Sequence, residues 1–167
     1  WSSPFSINIP DNVLQSGRIT TPLINLQNTG DDDVTDISID LQFSTVQSSV
    51  LPIFLNSGSN TWKFNKLNSG DSLTLDPEIF ASLSAADTSS VVQVHISYID
   101  SHGFPHEEIR TIGFTIRGLI DLTFKSVEFD REVLPAGFNA SIVGNLLNQG
   151  NTDAQFLSIS ILDGDGL

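Results

Sequence analysis

Val91-Val92-Gln93-Val94-His95-Ile96-Ser97-Tyr98-Ile99 is the stretch that decides the fold. Val92, Val94, Ile96 and Tyr98 take alternate positions, with Gln93, His95 and Ser97 between them. Successive side chains of an extended chain point to opposite faces, so a period of two describes a strand with one apolar and one wet side. Outward from it the pattern recurs. Ile109–Arg117 places Ile112, Phe114 and Ile116 on one face; Ile37, Ile39, Leu41 and Phe43 form another, and Phe5, Ile7 and Ile9 a shorter one. Such faces must be covered, and two stacked antiparallel sheets cover them most simply.

Turn residues punctuate these runs. Asn28-Thr29-Gly30, Asn56-Ser57-Gly58-Ser59-Asn60, Asn68-Ser69-Gly70-Asp71 and Asp100-Ser101-His102-Gly103 all supply residues that tolerate positive φ. One segment reads as helical: in Asp76-Pro77-Glu78-Ile79-Phe80-Ala81-Ser82-Leu83, Asp76 suits a cap and Pro77 a first helical position. Ile79, Phe80 and Leu83 would then form its apolar stripe, so a short helix or turn crossing between sheets is expected there. The rest reads all-β.

The sequence has 167 residues, with 7 Lys and Arg against 20 Asp and Glu, a formal net charge of −13. A surface this acidic repels phosphate backbones and argues against nucleic-acid binding. No basic cluster is present to hold an anionic membrane, and the longest apolar runs, such as Val50-Leu51-Pro52-Ile53-Phe54-Leu55, are strand-sized, so no direct membrane insertion is expected of this segment. Cysteine is absent, which excludes disulfides, thiolate metal sites and cysteine nucleophiles. Charged residues make up 16%, with Ser, Thr, Asn and Gln filling the polar positions instead, a composition common on exported β-proteins.

An internal echo sets the domain organisation. Val13-Leu14-Gln15-Ser16-Gly17 returns 120 positions later as Val133-Leu134-Pro135-Ala136-Gly137, and Asn25-Leu26-Gln27-Asn28-Thr29-Gly30 as Asn145-Leu146-Leu147-Asn148-Gln149-Gly150. The same shift carries Asp33 onto Asp153 and Ile37-Ser38-Ile39-Asp40-Leu41 onto Leu157-Ser158-Ile159-Ser160-Ile161. Ten of the thirty positions in 13–42 are identical in 133–162 without a gap. Extended upstream, the shift sets Ile7 and Ile9 on Val127 and Phe129. The reading is a tandem: an immunoglobulin-like β-sandwich over 1–117, then the N-terminal part of a second, homologous sandwich over 118–167. The second copy is some 70 residues shorter than the first, so it is expected either to belong to a longer polypeptide or to be completed by another chain.

The V/L-x-x-G lead-in, the apolar strand ending in Asn-x-Gly and the Ser-Ile-x-Leu strand resemble the CARDB-type immunoglobulin-like repeats of archaeal S-layer-associated and bacterial adhesion proteins. Trp62-Lys63-Phe64-Asn65-Lys66-Leu67-Asn68-Ser69-Gly70-Asp71-Ser72-Leu73-Thr74-Leu75 is similar to that family's L-x-x-G-x-S-x-x-L stretch, and Val94–Gly103 to its late V-x-V-x-Y-x-D-x-x-G hairpin. The resemblance implies an extracellular, cell-surface and archaeal setting, with other surface or S-layer proteins, or a second copy, as partners. It brings no catalytic residue.

Chemistry-bearing residues are sparse. His95 should point outward, while His102, His106 and the following Glu107 and Glu108 offer donor types suited to a metal. Asp31-Asp32-Asp33 with Asp36, and Asp163-Gly164-Asp165-Gly166, offer hard oxygens suited to calcium. Each set is read as solvated turn residues, so no metal, cofactor or catalytic residue is assigned and no enzyme is expected. Trp1 and Trp62 offer stacking surfaces for sugars, with Trp62 better read as packing at the sandwich edge beside Phe64. Asn139-Ala140-Ser141 matches the N-glycosylation acceptor rule, making Asn139 the candidate modification site. The expected function is a spacer, stalk or assembly module joined through the short Arg117-Gly118-Leu119-Ile120 link. The alternatives are an adhesin gripping carbohydrate or protein through loops Asn56–Trp62 and Ser101–His106, and a filament subunit completed by a neighbour's strand.

Overall fold

The computed structural model describes residues 3–43, 51–130 and 136–160. Trp1, Val50, Val133–Pro135, Ile161 and Asp163–Gly166 lie outside them. The chain divides into two compact units, Trp1–Gly118 and Leu119–Leu167. In the first, the strands are β1 (Phe5–Asn8), β2 (Val13–Gln15), β3 (Ile19–Thr20), β4 (Ile24–Asn28), β5 (Val34–Phe43), β6 (Ile53–Ser57), β7 (Thr61–Leu67), β8 (Ser72–Leu75), β9 (Glu78–Ala81), β10 (Thr88–Ile99) and β11 (Pro105–Arg117). The second holds β12 (Leu122–Phe129) and β13 (Ile142–Asn148).

One layer of the first unit is built from β1-β4-β8 and β3-β9-β6. The two parts are one antiparallel ladder with a gap. Ile24 pairs with Leu75, Thr20 with Ile79 and Ile19 with Phe80, all in a single register. Followed through the gap, that register sets Pro22 opposite Pro77. Neither proline has an N–H, so the rungs between them cannot form. This corrects the expected helix over Asp76–Leu83. Pro77 interrupts a strand there, and β9 follows, with Ile79 and Ala81 buried on its inner face and Phe80 turned outward beside Phe54 at 5.1 Å. A single 3-10 turn, Leu83–Ala85, comes after it, and Leu83 is exposed rather than part of an apolar stripe.

The other layer is β2-β11-β10-β5-β7. Its inner face is the alternation read from the sequence: Ile37, Ile39 and Leu41, then Val92, Val94, Ile96 and Tyr98, then Ile112, Phe114 and Ile116, all buried. They form one core with Phe5, Leu14, Ile24, Leu26, Ile53 and Leu75, against which Trp62 and Phe64 of the edge strand β7 pack half-buried. β10 and β11 pair from Thr88↔Ile116 to Ile99↔Pro105.

The repeat has a structural counterpart in backbone detail. β12 and β13 pair antiparallel as β1 and β4 do. Gly17 and Gly137 both take positive φ, 73° and 86°, and the non-glycine residues Asp36 and Phe156 do so at matching places, 50° and 58°. Against β10 the register shifts between Ser97↔Ser38 and Ile99↔Thr35, so Asp36 and Ile37 together oppose Tyr98, a bulge in β5. Two expectations need correction. Ile7 pairs with Leu26, and Leu146 pairs with Phe124, so Ile7 corresponds to Phe124 rather than Val127; three more residues separate the paired strands in the second unit. The segment Leu157–Ser160, read as the echo of β5, is not a strand. β5 is held between β10 and β7, and among the described residues the second unit offers no counterpart of either.

Candidate functional site

The Asn-x-Gly turns are each built around one asparagine side chain. Asn28 is fully buried. Its amide Nδ2 donates to the carbonyls of Asp32 (2.9 Å) and Leu67 (3.3 Å), and its Oδ1 accepts from the Gly30 N–H (3.1 Å). Asn148, half-buried, repeats two of these bonds, donating to Thr152 O (2.8 Å) and accepting from Gly150 N–H (2.9 Å). The glycines are not there for positive φ, as their turn position suggested. A Cβ on Gly30 would sit 2.9 Å from Pro4 Cβ, and one on Gly150 would overlap the Leu119 carbonyl. Close approach of the preceding segment is what excludes a side chain.

The loops collect at two ends. Asn28–Asp33, Asn68–Asp71 and the β10–β11 tip meet at one: Ser69 N–H donates to Asp33, Ser69 Oγ to Gly30 O, and Ser101 Oγ to Asp32 Oδ2 at 3.1 Å. A shallow cleft of about 270 Å³ lies there, lined by Pro4, Asp31, Asp32, Tyr98, Asp100 and His102 among others. The β6–β7 turn falls elsewhere. Thr61 pairs with Asp40, whereas Thr35 near the other end of β5 pairs with Ile99 beside the tip. Loops Asn56–Trp62 and Ser101–His106 therefore lie at different ends of the first unit.

At the tip, Asp100 organises the turn. It accepts from the backbone N–H groups of His102 and Phe104, both at 2.9 Å, and bonds His106 Nε2 at 2.8 Å. The His106 ring stacks on Tyr98, with centroids 5.3 Å apart. The His106 bond, then the Phe104 N–H, hold the Asp100 carboxyl below its ordinary value. Asp33 is lowered likewise by Lys66, whose ammonium is 2.7 Å away, and by Ser69; Glu78 is lowered by Ser57 and Asn56. Burial, then the carboxylates of Glu108 and Asp100, push the Tyr98 hydroxyl up to about 12.

Depressed carboxyls stabilise the fold fully above their unfolded range, near 4, and lose that contribution as pH falls through the lower folded values. The melting temperature should therefore drop below about pH 4. In Asp100→Asn that acid limb should be shallower, measured by circular dichroism from pH 7 to 2. An acid limb as steep in the variant as in the parent would contradict the Asp100 account.

His95 lies on the outer face, apart from the other two histidines, bonded to Gln93 at 3.4 Å. His102 Nδ1 is 3.2 Å from Ser101 Oγ. The carboxylate of Asp32 sits on that hydroxyl rather than on the imidazole, the reverse of the order that activates a serine. Among the described residues, no three His, Cys, Asp or Glu side chains group so as to hold a metal ion. Asp31, Asp32 and Asp33 share the cleft, but Asp33 is committed to Lys66 and Ser69 and Asp32 to Ser101. Asn139 is exposed just after Gly137. Among the described residues, no helix is long and apolar enough to cross a membrane. Sequence reasoning missed Asn28 as the buried polar centre, although its identity with Asn148 was a signal for it.

Two layers, the crossing of the chain from β1 in one sheet to β2 in the other, and the shared core define an immunoglobulin-like β-sandwich. No family model matches the sequence, and no curated protein matches it. Among solved structures, the chain is similar to native alpha-2-macroglobulin from Escherichia coli in the part running from domain MG7 to the C-terminus. The TM-score is 0.50 at 16% identity, covering 81% of this chain and 20% of that one. A cohesin module from a Clostridium perfringens family 33 glycoside hydrolase aligns at TM-score 0.40 and 10% identity, over 68% of this chain and 95% of the module. The chain thus spans about a fifth of the macroglobulin chain, and the likeness is one of fold.

Proposed function

We propose that this chain is a non-catalytic structural module of a secreted, cell-surface protein of the CARDB-type, S-layer-associated kind, serving as a spacer or stalk. The observation that carries this reading is the repetition, in two successive units, of one Asn-x-Gly joint with the same two turn bonds, buried in the first unit and half-buried in the second. Its reactive-looking side chains are spent on holding turns: Asp100 closes the hairpin tip, Asp33 ties two loops, and Ser101 bridges to Asp32. Other surface proteins or further copies would be its neighbours, and exposed Asn139 would carry the glycan where the host supplies one.

The adhesin reading has one observation in its favour, the acidic cleft beside the hairpin tip. A glycan array and a surface-protein panel separate the two. The expected result is no saturable binding by the parent, by Trp62→Ala or by His102→Ala. Saturable binding lost in either variant would overturn the spacer reading and locate the gripping surface.

A further inference from the structure

We infer that the first unit is built to bear tension along the chain, with the β2–β11 pair as its mechanical clamp; this rests on the spacer reading and gives it a physical task. The first unit's chain enters through β1 and β2 and leaves through β11. β2 runs parallel to β11, with Val13, Leu14 and Gln15 opposite Thr115, Ile116 and Arg117. Pull the strand before Val13 one way and the strand after Arg117 the other, and the two parallel strands slide past each other. Every bond between them is then loaded at once. Had the strands run antiparallel, the same pull would open the bonds one at a time from one end.

The pair is short but reinforced. Backbone bonds frame it: Thr115 N–H donates to Asn12 O at 3.0 Å, and Ser16 N–H donates to Arg117 O at 2.9 Å. Two side-chain amides add rungs, Asn12 Nδ2 to Gly113 O (3.3 Å) and Gln15 Nε2 to Arg117 O (3.0 Å). Leu14, fully buried in the core, keeps β2 from lifting sideways. Just past the clamp, Gly17 N–H donates to Ala81 O at 2.7 Å, tying β2 to the other layer as well. Amide side chains on exposed edges add little to equilibrium stability, because water replaces them. Under shear they matter, because they must break together with the backbone bonds.

The absence of cysteine from the sequence makes the test direct, since paired cysteines can be placed as handles in the full chain. Pro10→Cys with Gly118→Cys loads the pair in shear; Arg18→Cys with Gly118→Cys loads the same pair from one end, in peel. In single-molecule pulling at one loading rate, the shear geometry should rupture at a clearly higher force than the peel geometry. Adding Asn12→Ala and Gln15→Ala should lower the shear force while leaving the peel force and melting temperature nearly unchanged. Equal forces in the two geometries would overturn the clamp, as would a variant that weakens both alike. Either result would leave the spacer reading standing, because a spacer need not resist load; that reading falls on ligand binding instead.

Discussion

Asn28→Ala is expected to destabilise the first unit by about 3 kcal/mol, since each buried backbone group deprived of its partner costs roughly 1–3 kcal/mol and some will recover a water. Three groups are affected: the carbonyls of Asp32 and Leu67 and the N–H of Gly30. The backbone of Asn28 is engaged too, with its N–H on Asp71 O and its carbonyl accepting from Gly70, so the turn cannot easily move to compensate. Asn28→Asp keeps the acceptor for Gly30 but loses both donations and buries a carboxylate. It should be at least as damaging at neutral pH and partly recover in acid, where the carboxyl is protonated. Urea titration followed by tryptophan fluorescence reads this, because Trp1 and Trp62 both belong to the first unit. A loss below about 1 kcal/mol in Asn28→Ala would show that the joint is a decoration rather than a strut.

Phe114→Ala should cost about 4 kcal/mol, the size expected for emptying an aromatic site in a packed core. Phe114 is 1% exposed and lies between Ile112 and Ile116 on the inner face of β11. Whole domains of this kind are stable by only about 5–15 kcal/mol, so the variant would be left marginal. Ile109 sits five residues earlier on the same strand, but on the outer face and 59% exposed; Ile109→Ala should shift stability by less than about 0.5 kcal/mol. The urea midpoint should fall sharply for Phe114→Ala with little change in slope. Similar losses for Phe114→Ala and Ile109→Ala would mean the two faces of β11 are wrongly assigned.

Some of this was legible before any coordinates. Period-two alternation named the inner faces of β5, β10 and β11 residue by residue, because a strand has no other way to sort its side chains. The glycines of the β6–β7, β7–β8 and β10–β11 turns take the positive φ their positions call for. The ungapped echo marked Asn28 and Asn148, and the structure gives both the same two turn bonds. A resemblance to CARDB-type repeats pointed to the sandwich, and the fold is one; the family itself stays a proposal.

What the sequence by itself determined, then, is which residues face inward and where the chain turns, since these follow from local geometry and spacing. Only the tertiary structure decided the rest, because it depends on what stands across from what. Pro77 is a helix starter by local rules, yet opposite Pro22 it is a gap in a ladder. Gly30 and Gly150 are turn residues by local rules, yet the segment packed against each is what forbids a side chain. Leu157 and Ile159 alternate as a strand should, but among the described residues they have no neighbouring strand to pair with. The parallel pairing of β2 with β11, and with it the capacity to carry load, joins residues about a hundred positions apart, and no local pattern in either stretch announces it.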